Sequence, residues 1–302
     1  MATLSFVTVR DTASFDAVRT LLDSPRTRTE LASHSFVFPE HRLLYVETPK
    51  VACTSIKAAL LVLSGSTVQG LSTDQLPRPF PEAAVHDRRI FPASSLADLG
   101  QVDLAEVLTA PGWIRFCLVR DPFSRVFSAW ESKVFFGDPG MLDRFQRLGS
   151  GDQYSDGNLD IRATFCAFVE DLAKRQEFYL EDMHFRPQCR VIHVEAVPYT
   201  DIVRLDEMER FLVRLGSHLG QPIVVPRVNE GLGIPWQQNY DARAISLISE
   251  LYAEDVARFD FPVPATFEGG GTRLDPIATN LLEQVRKRIR LVAALYEATD
   301  QA

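Results

Sequence analysis

Two passages of this chain share one order of residues. Residues 43 to 65 read LLYVETPKVACTSIKAALLVLSG, and residues 113 to 133 read WIRFCLVRDPFSRVFSAWESK. Each opens with a short run that is apolar on both faces, passes through a polar turn, and continues with apolar residues at helical spacing. A strand without a polar face is shielded on both sides, which is the situation of a parallel sheet covered by helices. Strand, turn and helix in repetition therefore imply an α/β fold with a parallel sheet flanked by helices. The turn from strand to helix is also where backbone N–H groups and the positive helix end can hold an anion.

The donors at the two turns suit phosphate or sulfate oxygens. In the first, Lys50 supplies a charge, and Thr54 and Ser55 supply hydroxyls at the helix start. The glycines of a G-x-x-x-x-G-K-[ST] loop are absent, since the stretch has no glycine before Gly65. In the second, Arg120 ends the strand and can give planar, paired hydrogen bonds to a phosphate. Asp121 stands at the N-cap position and Pro122 at the first helical turn. Ser128 lies within the following helix, where its hydroxyl can join Arg120, and Arg125 and Lys133 are nearby. Two such turns on one sheet point to a ligand with two separated phosphate-like groups. Each turn taken alone is also what a surface turn with a capped helix looks like.

The rest of the chain alternates in the same way. DAVRTLLDS reads as a short helix and LSFVTV as a strand. Residues 66–110, rich in Pro, Ser and Asp, read as loops and short helices rather than a second core, and the stretch SGDQYSDGN (150–158) reads as a polar loop. DIRATFCAFVEDLAKRQ (160–176) and LDEMERFLVRLGSHLG (205–220) are amphipathic helices by periodicity, with YTDIVRL (199–205) a strand between them. NYDARAISLISELYAEDVARFDF (239–261) reads as one helix. FEGGGTRLDP reads as a flexible link to a last helix, 276–300.

A formal net charge of -8 argues against non-specific nucleic-acid binding. The four cysteines, Cys53, Cys117, Cys166 and Cys189, form no C-x-x-C pair, so no zinc site and no other metal site is expected. They read as reduced, in an intracellular protein. There is no secretory signal and no apolar run approaching the ~20 residues of a membrane span. The expectation is a cytoplasmic protein without a transmembrane segment.

At this point the residues carry a resemblance. TPKVACTSIK resembles the 5′-phosphosulfate loop of sulfotransferases that use 3′-phosphoadenosine 5′-phosphosulfate (PAPS). LVRDPFSRVFSAWESKV resembles their 3′-phosphate motif, in the form found in carbohydrate sulfotransferases related to the chondroitin and dermatan enzymes. EDMHFRPQCRV is similar to that family's H-[WF]-x-P-Q segment, DIVRLDEMERFLVRLG to the segment after it, and residues 239–261 to its closing helix. The resemblance spans residues 41–261 as a single domain of the sulfotransferase fold. Residues 1–40 then form an N-terminal extension packed on the core, and 262–302 a C-terminal linker and helix. The expectation is a chain without the family's usual N-terminal membrane anchor and stem.

The resemblance implies transfer of a sulfuryl group from PAPS to an acceptor hydroxyl, on a carbohydrate such as a glycan or glycolipid, without a metal. Lys50 matches the loop lysine, and Val51, Ala52, Cys53, Thr54 and Ser55 the residues around the 5′ end. Arg120 and Ser128 match the 3′-phosphate ligands. The base is expected to be a histidine, whose ordinary pKa near ~6.5 suits proton uptake near neutrality. His86 is the first choice and His184, in MHFRPQ, the second. Arg186, Arg190 and Arg227 read as solvated charges, with contact to an anionic acceptor as the sharper alternative. Trp130 reads as packing against the sheet, and RVNEGLG (227–233) as a loop over the nucleotide. The last helix reads as packing on the domain or on a second copy of the chain in a homodimer. The competing functions are a nucleotide-dependent kinase or NTPase on a similar sheet, and a non-catalytic glycan- or nucleotide-binding relative.

Overall fold

The computed structural model describes residues 15–61, 63, 93–137, 151–225 and 233–300. Its strands are β1 (Ser35–Phe38), β2 (Leu43–Val46), β3 (Ile114–Val119), β4 (Tyr154–Ser155), β5 (Asn158–Asp160), β6 (Asp201–Arg204) and β7 (Arg273–Leu274). The chain divides into two compact units, Met1–Arg120 with Gln188–Glu230, and Asp121–Pro187 with Gly231–Ala302.

The first unit is built on a sheet of order β1-β2-β3-β6. β2, β3 and β6 are parallel, and β1 runs antiparallel at the edge. Both faces are buried, as the apolar runs require. Phe36, Phe38, Leu43, Tyr45, Ile114, Phe116, Leu118 and Val203 form one core with Ile56 and Leu60 of the helix Cys53–Leu61 and Phe211 and Leu215 of the helix Met208–Leu219. Leu44, Val46, Cys117 and Val119, alternating with them along the strands, are buried as well. This is the expected α/β architecture, a central sheet with parallel strands and flanking helices. SFVF was not read as a strand from the sequence, but its pairing with β2 starts the sheet at Ser35, before residue 41. The LSFVTV stretch and most of residues 66–110 lie outside the described residues; within that stretch Gln101–Thr109 is a short helix, as expected there.

The second unit has an aromatic core. Trp130 is buried with Phe127, Phe135 and Phe165 around it, ring centroids 5.2, 4.7 and 5.1 Å away. Trp130 is thus a packing residue of this cluster. Three readings change here. Residues 150–158 do not stay a loop: Tyr154–Ser155 and Asn158–Asp160 pair as a hairpin. The turn is Asp156-Gly157, both left-handed (φ 52° and 77°), the dipeptide that matches the twist of a two-residue hairpin. The glycine-rich link supplies β7, which pairs with β5, and the Asn239 side chain bonds Thr272 at two points. Residues 239–261 form two helices, Ala242–Leu251 and Ala253–Phe259, broken at Tyr252 (φ −113°, ψ 24°). The Tyr252 hydroxyl is drawn inward to the carbonyl of Phe185, which fixes the break.

Among the described residues no helix is long and apolar enough to cross a membrane. None of the four cysteines forms a disulfide.

Candidate active site

The first anion turn lies between β2 and the helix Cys53–Leu61. Lys50 (φ 67°) and Ala52 (φ 51°) both sit in the left-handed region. Side chains other than glycine rarely adopt it, at a cost of about 1–3 kcal/mol each. Two such residues around Val51 curl the chain without any glycine. The first backbone bond of the helix runs from the Ile56 N–H to the Ala52 carbonyl, 2.9 Å. The N–H groups of Cys53, Thr54 and Ser55 therefore belong to the open N-terminal end. The side chains of Thr54 and Ser55 are in the first helical turn, largely buried, and Lys50 is half-buried. Cys53, beside them, is pushed up from the ordinary thiol range by burial and by the charge of Glu47, so it is not a thiolate nucleophile at neutral pH.

A buried ion pair spans this turn. Glu47 follows β2, Lys57 lies one turn into the helix, and their side chains are 3 % and 1 % exposed with Nζ 2.8 Å from Oε2. His34 Nδ1 is 3.6 Å from the same carboxylate oxygen. The sequence pattern singles out neither partner. The depth of Lys57 shows only in the structure.

Arg120 leaves β3 one residue after the last pair of the ladder with β6, Val119↔Arg204. Its guanidinium donates to the carbonyl of Lys50, 3.2 Å, which ties the second anion turn to the first. Its backbone is held by Gln188, fully buried. The Arg120 N–H donates to Gln188 Oε1 at 2.8 Å, and Gln188 Nε2 donates to the Arg120 carbonyl at 2.7 Å.

Asp121 caps the next helix, Pro122–Trp130, by accepting from the N–H groups of Phe123 and Ser124, as the Asp-Pro pair indicated. Ser128 lies on that helix, in the second unit. Arg125, on the same helix, is not an anion ligand. It is fully buried, and its donors go to the carbonyls of Met183 and Arg186, each 2.8 Å. That grip holds the segment carrying His184. Asp182 accepts from the His184 N–H at 2.9 Å, and its carboxylate is 2.7 Å from His184 Nδ1. An Nδ1–H donated to Asp182 places the ring's lone pair on Nε2. Arg186 is neither a solvated charge nor poised for a ligand, because its donors reach the carbonyls of Leu180 and Glu181. Arg190 is exposed. His86 and Arg227 lie outside the described residues, as does most of the stretch 227–233. Among the described residues no three His, Cys, Asp or Glu side chains are grouped to hold a metal ion.

Gln188, Glu47, Lys57, Asp182 and Arg125 are thus the supporting residues that sequence reasoning did not assign. Only Gln188 carried a signal, as the glutamine of the P-Q pair.

With this geometry in hand, comparison with known proteins is informative. The sulfotransferase family model matches residues 33–262, most of the chain. Carbohydrate sulfotransferase 10 of Danio rerio is 33% identical over 257 residues, covering 76% of this chain and 67% of its own. Carbohydrate sulfotransferase 11 of Rattus norvegicus is 27% identical over 251 residues, covering 76% and 68%. Carbohydrate sulfotransferase 10 of Homo sapiens is 30% identical over 150 residues, covering 46% and 39%. No solved structure matches. The matched stretch contains β1, both anion turns and the His184 segment, and on this ground the chain belongs to the sulfotransferase family and is a sulfotransferase.

Proposed function

We propose that this enzyme transfers the sulfuryl group of PAPS to a hydroxyl of a carbohydrate acceptor, a glycan or glycolipid. The observation that carries the reading is the bond from the Arg120 guanidinium to the Lys50 carbonyl, which joins two anion-binding turns. The donor set fits a 3′,5′-substituted adenosine nucleotide. It offers an open helix end, the hydroxyls of Thr54 and Ser55, and two cations. The Thr48 hydroxyl, in the same loop, is buried with no hydrogen-bond partner among the described residues, as expected where a ligand completes the polar contacts. The kinase or NTPase alternative loses to the family match. The carbohydrate acceptor follows the names of the relatives.

When bound, the nucleotide supplies an activated sulfuryl group. The amides from Val51 to Ser55 and the Thr54 and Ser55 hydroxyls hold its 5′ end. Lys50 neutralises the charge that grows on the leaving phosphate oxygen. Arg120 holds the 3′-phosphate, and the resemblance adds Ser128 as its second ligand. A histidine takes the proton of the acceptor hydroxyl. His86 and His184 are the two candidates, and His184 has the carboxylate partner that orients an imidazole for this task.

Two measurements test the reading. Adenosine 3′,5′-bisphosphate at ~100 Kd raises stability by about 2.7 kcal/mol, whereas ATP does not, and Arg120→Ala loses the rise. An equal rise with ATP rejects PAPS as donor. For the base, His184→Ala lowers kcat by about 10²–10⁴-fold with little change in KM for the donor. An unchanged kcat moves the assignment to His86.

A further inference from the structure

We infer that Gln188 is a positioning residue for Arg120: its side-chain amide stands in for a missing strand partner and thereby aims the guanidinium. The inference rests on the reading of Arg120 as a ligand of the nucleotide's 3′-phosphate. In a parallel ladder each strand residue finds its bonds on a neighbouring strand. β3 loses that neighbour at Val119, the last residue paired with β6. Arg120 is the first residue past the ladder, and its N–H and C=O still need partners. A glutamine amide presents one carbonyl and one NH₂ in nearly the geometry of a peptide group. Gln188 uses both, accepting from the Arg120 N–H at 2.8 Å and donating to the Arg120 carbonyl at 2.7 Å.

Two bonds to one residue's backbone fix its peptide planes and therefore the direction of its Cα–Cβ bond. The far end of the same residue is fixed as well, by the bond from its guanidinium to the Lys50 carbonyl, 3.2 Å. Arg120 is thus held at its root and at one nitrogen, which leaves the orientation of its fork defined before a ligand arrives. Gln188 is fully buried, so no water competes for the clamp. It stands at the start of the short helix Gln188–Val191, flanked by buried Cys189 and Val191, which anchor it from behind. Preorganisation of this kind acts on the group of the ligand that Arg120 touches, and not on binding in general.

That difference separates positioning from simple packing. The experiment is calorimetric titration of the wild-type protein, Gln188→Met, Gln188→Leu and Arg120→Ala with adenosine 3′,5′-bisphosphate and with adenosine 5′-monophosphate. The ratio of the two affinities reads the 3′-phosphate contact alone. Wild type favours the bisphosphate strongly. Gln188→Met keeps the volume and removes both bonds, and it lowers the ratio about tenfold, a loss of about 1.4 kcal/mol, with 5′-monophosphate affinity within about threefold. In the Arg120→Ala background Gln188→Met has no further effect on the ratio. Gln188→Leu also removes both bonds at similar size; it lowers the ratio too, and carries the test if Gln188→Met does not fold. An unchanged ratio in a folded variant overturns the inference, as does an equal loss for both nucleotides, the mark of a merely structural role. A wild-type protein that does not prefer the bisphosphate rejects the donor assignment itself, and the positioning role with it.

Discussion

Lys50→Gly lowers kcat by about 10²–10³-fold and leaves thermal stability equal to or above that of the wild type. The two halves of this result come from different parts of the residue. The side chain brings the positive charge assigned to the leaving phosphate, and glycine has none. The backbone sits at φ 67°, in the left-handed region. A non-glycine residue pays about 1 kcal/mol or more to stay there. Glycine does not, and that relief offsets the roughly 0.5–1 kcal/mol of extra chain entropy that glycine loses on folding. The Lys50 carbonyl, which accepts from Arg120, is kept. Lys50→Ala loses the same activity without the relief and serves as the control. The checks are kcat at saturating donor and acceptor, and Tm by calorimetry. An active Lys50→Gly protein removes Lys50 from the mechanism. An inactive one that has also lost several degrees shows that the loop needed the side chain to fold. The strain would then be a local accident and not the cost of presenting a charge.

Which features were legible in advance follows from how far each signal travels along the chain. LLYV and IRFCLV announce central strands because burial on both faces shows residue by residue. Asp121-Pro122 announces a helix start because capping reaches only three residues. SFVF fails this test: it is four residues long and lies between polar stretches, so only its pairing with β2 reveals it. The Asp156-Gly157 turn is a local hairpin signal, but the polar residues around it lack the alternating apolar pattern that marks strands. Of the supporting shell only Gln188 leaves a mark in the sequence, as the glutamine of the P-Q pair, and its role does not show there. Gln188 acts on Arg120 from 68 residues away, and its partner groups exist only because the ladder ends at Val119. Arg125 looks like a ligand of the second turn because it is a cation close in sequence to Arg120. The helix turns it inward, and a buried guanidinium must spend its donors on carbonyls, here those of Met183 and Arg186. Residue types thus mark the groups proposed to touch a ligand, whereas the groups that hold them in place are defined by the fold.

Lys57→Met destabilises the protein by about 3–5 kcal/mol, whereas Lys57→Met combined with Glu47→Leu recovers most of that loss. The pair is 2.8 Å apart with both side chains almost wholly buried. Removing the lysine alone leaves a carboxylate desolvated beside Tyr45, whose phenol burial and Glu47 already hold well above its ordinary range. No water reaches the charge to repay the loss. Removing both charges returns the site to an apolar interior, next to the Phe36 ring over which Lys57 Nζ now lies at 5.6 Å. A loss of 3–5 kcal/mol is a large part of the 5–15 kcal/mol by which domains are stable, so the single variant is best read in urea at low temperature, with m-values compared. A cost below about 1 kcal/mol for Lys57→Met would mean that the pair is solvated and supports nothing. The double variant carries the sharper consequence. Glu47 and Lys57 flank the turn that holds Lys50 and Ala52 in left-handed conformations. An apolar pair restores packing but lacks the directional bond that fixes the ends of that turn. The double variant is therefore expected to fold with near-normal stability and to bind adenosine 3′,5′-bisphosphate more weakly. Normal binding in a stable double variant would show that the turn keeps its shape by packing alone, and the buried charge pair would then have no role in the site.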